Sequence, residues 1–207
     1  MLLTELISTI LQILIFSLIP FVVYLIRYRK QSSFFRFIGL HSANTKANLY
    51  AVGVSLLFLG GGILAGLLDP ELMETMRGPH TVIGKLRGAG WSTETMLTLF
   101  LMAGFKTSLS EEIFFRGFVA KRLMSWLGYQ RGNLLQAFIF ALVHVVLFVL
   151  LIGSSLRFSI FIFFLSGTAG YLVGYIKEKI GNGSIIPGWI AHGLGNTISY
   201  YLIGFVL

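Results

Sequence analysis

Five apolar stretches, residues 2–26, 49–68, 134–152, 158–176 and 185–207, dominate the chain, and each reaches the length needed to cross a bilayer. Lipid offers the backbone no water, so every N–H and C=O in such a stretch must be paired within it, which a helix does. Composition agrees. The chain is 56% hydrophobic, above the roughly 45–50% apolar usage of soluble domains, with mean hydropathy +0.83. These features predict an all-α, polytopic transmembrane helical bundle of about six to eight membrane helices. With no repeat or low-complexity tract, residues 1–207 read as a single integral membrane domain.

The first stretch occupies the place of a signal peptide. No Lys or Arg precedes it, however, and no small-residue cleavage site follows; Arg27, Arg29 and Lys30 come next instead. It reads as a retained span. The net charge of +8 is concentrated in loops: Arg27 to Lys46, Lys121 to Arg131, and Lys177 with Lys179. Loops of this kind mark the cytoplasmic side and lie near anionic lipid, so the charge sets topology and does not imply a nucleic-acid partner. Absence of cysteine excludes disulfides and a thiol nucleophile. The topology requires one crossing within residues 96–124. That is too long for an ordinary span and carries Gly104, Lys106, Thr107 and Ser108, so a bent helix or two pieces are expected.

Several residues do not belong in lipid. Charged side chains at membrane depth cost at least about 2.5–3.5 kcal/mol each and are usually functional. Glu111 and Glu112 sit side by side, ten and nine residues before Lys121, so Glu111 lies about 15 Å from that loop at 1.5 Å per residue. His144 lies about 20 Å beyond Arg131, and His192 about 14 Å beyond the Gly181-Asn182-Gly183 turn, with Asn196 one turn further. Three distant segments thus place Glu, His, His and Asn in one buried layer, expected to open toward the cytoplasm.

Spacing suggests roles. Glu112 and Arg116 are four apart in the order that favours a helical ion pair. Glu111, about 100° around the helix, is left over. A desolvated carboxylate without a full counter-charge suits proton abstraction from water. His192 and Asn196, also four apart, can donate to a developing oxyanion. His144 can orient the water or shuttle its proton. Blander readings stand beside these: Ser108 with Glu111 forms a capping-box pattern, and intramembrane His and Asn often join helices. His41 and His80 fall in loops, Phe114, Phe115, Phe138 and Phe140 read as lipid-facing or packing residues, and Gly60-Gly61-Gly62 lacks the Lys-Ser/Thr of a phosphate loop.

Glu111-Glu112-x-x-x-Arg116, Phe140-x-x-x-His144 and His192-x-x-x-Asn196, in that order and in apolar segments, resemble the three motifs of the CAAX-protease and bacteriocin-processing family of glutamic intramembrane endopeptidases. The resemblance covers roughly residues 95–205, the expected catalytic core. It implies Glu111 as general base assisted by His144, an oxyanion site of His192 and Asn196, and supporting Glu112, Arg116 and Phe140. No cofactor and no metal are implied. The substrate would be a membrane-associated peptide or protein, CAAX-like and lipidated in eukaryotic members. This chain is shorter than those and resembles prokaryotic relatives of the cell membrane. Two alternatives remain: a zinc-dependent membrane peptidase, since one Glu and two His form a known ligand set, and a non-enzymatic immunity or peptide-binding membrane protein.

Overall fold

The computed structural model describes all residues, Met1–Leu207, and contains helices and turns but no strand. Four helices are long and apolar enough to cross a bilayer: α1 (Leu2–Arg27), α3 (Thr45–Leu68), α8 (Tyr129–Ile152), and α9 (Leu156–Tyr175) with its π-helical continuation to Ile180. Short helices α2 (Phe34–Phe37), α4 (Pro70–Arg77) and α5 (Val82–Ala89) lie in the connections. The two other apolar segments are those bearing most of the candidate residues, and both are interrupted. Residues 93–127 run from α6 (Thr93–Phe100) to α7 (Lys121–Leu127) through π-helical segments Leu101–Leu109 and Glu112–Ala120. The last run joins α10 (Ile186–Tyr201) to a π-helical Leu202–Val206.

The expected bend in residues 96–124 is therefore a pair of widened turns within one continuous helical run. Hydroxyl side chains explain how they are tolerated. Thr107 Oγ1 donates to the Met102 and Ala103 carbonyls (3.0 and 3.2 Å), and Ser108 Oγ donates to Ala103 O at 2.6 Å. Ser110 Oγ donates to Lys106 O and, at 3.2 Å, to Thr107 O. Carbonyls loosened from the ordinary ladder thus keep a partner, the requirement for irregular backbone at membrane depth. Glu111 sits where the two π segments meet, a position at which such turns often serve a site.

Helix α10 packs between α3 and the first π segment, α9 lies along α8, and α1 flanks residues 93–120 from outside. Outward faces are apolar: Leu3, Ile15 and Leu18 of α1 stay more than half exposed, as a lipid-facing surface requires. The three basic loops meet at one end of the bundle. There Ile38, just after α2, is fully buried against Ile113 and Ile185, while Gly39 O accepts from Ile185 N at 2.9 Å. Lys121 Nζ donates to Phe37 O at 3.0 Å. This close seating depends on Gly117, where a Cβ would stand 2.6 Å from Ile38 O. At the opposite end, Arg157 bridges Asp69 (3.1 Å) and Glu71 (3.6 Å), tying α9 to α4.

Candidate active site

Glu111, His144 and His192 come from three helices and meet. Glu111 Oε2 lies 3.9 Å from His144 Nε2 and 3.9 Å from His192 Nε2. Each of the three side chains is about one-fifth exposed, to a cavity of about 440 Å³ inside the bundle. A separation of 3.9 Å is too long for a direct hydrogen bond and fits a bridging water. His144 Nδ1 is 2.8 Å from Phe140 O. A carbonyl only accepts, so Nδ1 carries the proton, and in a neutral ring Nε2 then presents its lone pair toward Glu111.

Glu112 lies on the closed side of this group. Its carboxylate is 3.4 Å from Arg116 Nη1, with both side chains at most 2% exposed. The π-helical turn keeps the expected i, i+4 pair together but leaves it a charge contact without aligned hydrogen bonds. His192 Nδ1 is 3.6 Å from Glu112 Oε1, so His192 spans both glutamates, a link that one-dimensional spacing did not reveal. Gly188 at the start of α10 makes this possible: a Cβ there would collide with the Glu112 carboxylate and stand 2.7 Å from Val173 Cγ1.

Phe140 is the packing centre of the layer. Its ring lies 4.0 Å from the Arg116 guanidinium carbon, a cation–π contact, and 4.4 Å from the His144 ring centroid. Phe115 meets it edge-on at 5.0 Å. Asn196 is placed differently from its expected partner His192. Nδ2 donates to Thr107 Oγ1 at 3.2 Å and lies 3.4 Å from Ser108 Oγ, so the amide is held against the first π segment, on the wall of the same cavity. Thr107, Ser199 and Tyr200 also line it and were missed. The signal was present: Ser199 and Tyr200 extend the His192–Asn196 stripe at i+7 and i+8. His41 and His80 lie in loops away from the layer, and Phe138 is half exposed.

Beyond these polar groups the cavity is walled by apolar side chains of α3, α8 and α9, including Phe58, Leu59, Leu147, Phe161, Ile162 and Leu165. No group of three or more His, Cys, Asp or Glu side chains has the arrangement of a metal site. The arrangement offers a carboxylate and an imidazole acceptor aimed at one point, with donors nearby: the elements of water activation.

The model of the family described as Type II CAAX prenyl endopeptidase Rce1-like matches residues 93–198, a span that contains all three motifs. No curated protein and no solved structure matches the chain.

Proposed function

The chain belongs to the type II CAAX prenyl endopeptidase Rce1-like family, a family of membrane proteases, and from that premise we propose that it hydrolyses peptide bonds with water activated by Glu111. The observation that carries this reading is the position of Glu111 Oε2, equally distant from two imidazole nitrogens and without a hydrogen-bond partner, in a side chain that lines the cavity. A water between Glu111 Oε2 and His144 Nε2 donates one proton to each acceptor. Glu111 takes a proton as the water oxygen attacks the scissile carbonyl carbon. The resulting oxyanion accepts hydrogen bonds from His192 and from the Asn196 amide, one of whose N–H groups turns away from Thr107 or Ser108. Collapse of the tetrahedral intermediate breaks the C–N bond, and the proton held by Glu111 passes to the leaving amine. General base catalysis contributes about 10²–10⁴-fold and oxyanion donors about 10²–10³-fold each. Glu112 and Arg116 are positioning residues: they hold His192 and Phe140 from below. The substrate is a membrane-associated peptide or protein with apolar residues beside the scissile bond, matching the cavity wall.

The test is cleavage of a quenched fluorescent peptide library by protein purified into lipid nanodiscs. Wild type should cleave, and Glu111→Gln should not, with an unchanged thermal unfolding profile. Equal cleavage by both would sink the glutamate mechanism.

A further inference from the structure

Helix α1 carries a polar stripe that the chemistry above does not use. Glu5, Thr9, Gln12 and Phe16 recur at i, i+4, i+7 and i+11, so they share one face of the helix. Thr9 is buried and the other three are half-buried, while Ile7, Ile10, Leu11, Leu14 and Ile15 stay exposed as lipid-facing residues. Gln12 stands ten residues along from Leu2, about 15 Å into a hydrocarbon layer of about 30 Å. Packing at that depth would be served by leucine. An amide there needs hydrogen-bond partners to offset its removal from water.

The stripe meets the stretch that leads into Glu111. Lys106 Nζ donates to Glu5 Oε2 at 2.6 Å, with both side chains about one-fifth exposed, so each is the other's counter-charge. Gln12 Nε2 donates to Lys106 O at 2.7 Å and to Ser110 Oγ at 3.2 Å. Phe16 meets the Phe114 ring edge-on at 5.7 Å. These contacts bracket Glu111, with Lys106 and Ser110 before it and Phe114 after it. None of the residues making them lines the cavity.

The backbone explains why a donor from α1 is needed here. Ser110 N–H bonds to Phe105 O and Thr107 O and not to Lys106 O, its acceptor in an ordinary α-helix. Lys106 O takes side-chain donors in its place, Ser110 Oγ and Gln12 Nε2. Irregular backbone at membrane depth is tolerated only where neighbouring groups satisfy it in this way. Without Gln12 the ordinary ladder becomes the better arrangement. Each residue turns the chain by about 100°, so tightening a widened turn rotates everything after it about the helix axis. Glu111 Oε2 stands 3.9 Å from both His144 and His192 at one such rotation, and another would break that symmetry.

We propose that Gln12 is a positioning residue for Glu111: it holds the widened turn between Lys106 and Ser110, and that turn aims the carboxylate between the two histidines. The inference rests on the hydrolytic reading for what Glu111 does. It adds to the machinery a helix outside the matched residues 93–198. Misplacing a reacting group by about 1 Å can lower a rate about 10²-fold, which sets the size of effect to look for.

Gln12→Leu keeps the bulk of the side chain and removes both of its hydrogen bonds. In nanodiscs it should lower kcat at least tenfold with KM within twofold, because the cavity wall that receives substrate is untouched. Hydrogen exchange should quicken at least tenfold at the amides of residues 106–114 and stay unchanged along α10. Leu11→Ala, its neighbour on the lipid face, should match wild type in both measurements. Where Gln12→Leu fails to fold, Gln12→Met carries the same expectations. An unchanged kcat would overturn the proposal, even with faster exchange, since α1 would then only pack. So would a lower kcat without faster exchange at 106–114, or a lost rate that lies in KM. A wild type that cleaves no peptide would sink the hydrolytic reading alone, because exchange at 106–114 still decides whether Gln12 holds the turn.

Discussion

Glu111 and Glu112 are neighbours in the chain and live in different regions of the molecule. Glu112 belongs to a sealed layer, where Arg116 supplies its counter-charge at 3.4 Å and Phe140 covers the guanidinium. Glu111 belongs to the edge of a chamber, where its nearest ring nitrogens stand 3.9 Å away and no hydrogen bond ties its Oε2. The contrast teaches what distinguishes a structural carboxylate from a reactive one in a membrane. Both are desolvated, but one charge is matched by a fixed cation and the other is met by groups that can exchange protons.

The sharpest way to break this contrast is to neutralise each glutamate in turn. Glu111→Gln should lower kcat by about 10²–10⁴-fold with little change in folding, measured by peptide cleavage and thermal unfolding of the same preparation. Glu112→Gln should act first on stability. It strands the buried Arg116 charge, a loss of about 3–5 kcal/mol, read as a lower unfolding midpoint in detergent. Pairing it with Arg116→Met should recover part of that loss; no recovery would mean that Glu112 acts through His192 instead. Asn196→Ala should reduce kcat by about 10²-fold with KM nearly constant, since its donor is needed only as the oxyanion forms. Gly188→Ala should lower both stability and kcat, because the added methyl displaces the Glu112 carboxylate against His192. The smallest effect expected is that of a chelator. Removing divalent metal should leave cleavage within about twofold of the untreated rate, and a loss restored by zinc would favour the metallopeptidase alternative.

Much of the fold was legible along the chain, because long apolar runs permit only helices and their basic flanks order the crossings. The meeting of Glu111, His144 and His192 was legible too, from depth: residues at similar distances from the basic loops must lie in one layer if their helices pack together. The widened turns around Glu111 were not. They arise where Thr107, Ser108 and Ser110 serve as side-chain donors to backbone carbonyls, and the same residues are compatible with an ordinary kink. Nor was the tie of Asn196 to Thr107 legible, because it depends on how α10 is rotated against the first π segment.

The sequence by itself determined a helical membrane bundle, the polar layer within it and the pairing of Glu112 with Arg116, since each follows from local periodicity or from the cost of charge in lipid. Only the tertiary structure decided that His192 bridges both glutamates, that Gly188 opens the space for it, and that Ile38 packs against Ile113 and Ile185 at the basic end. Depth is a one-dimensional quantity that a sequence carries. Which side of a layer is filled and which is empty depends on packing between segments far apart in the chain.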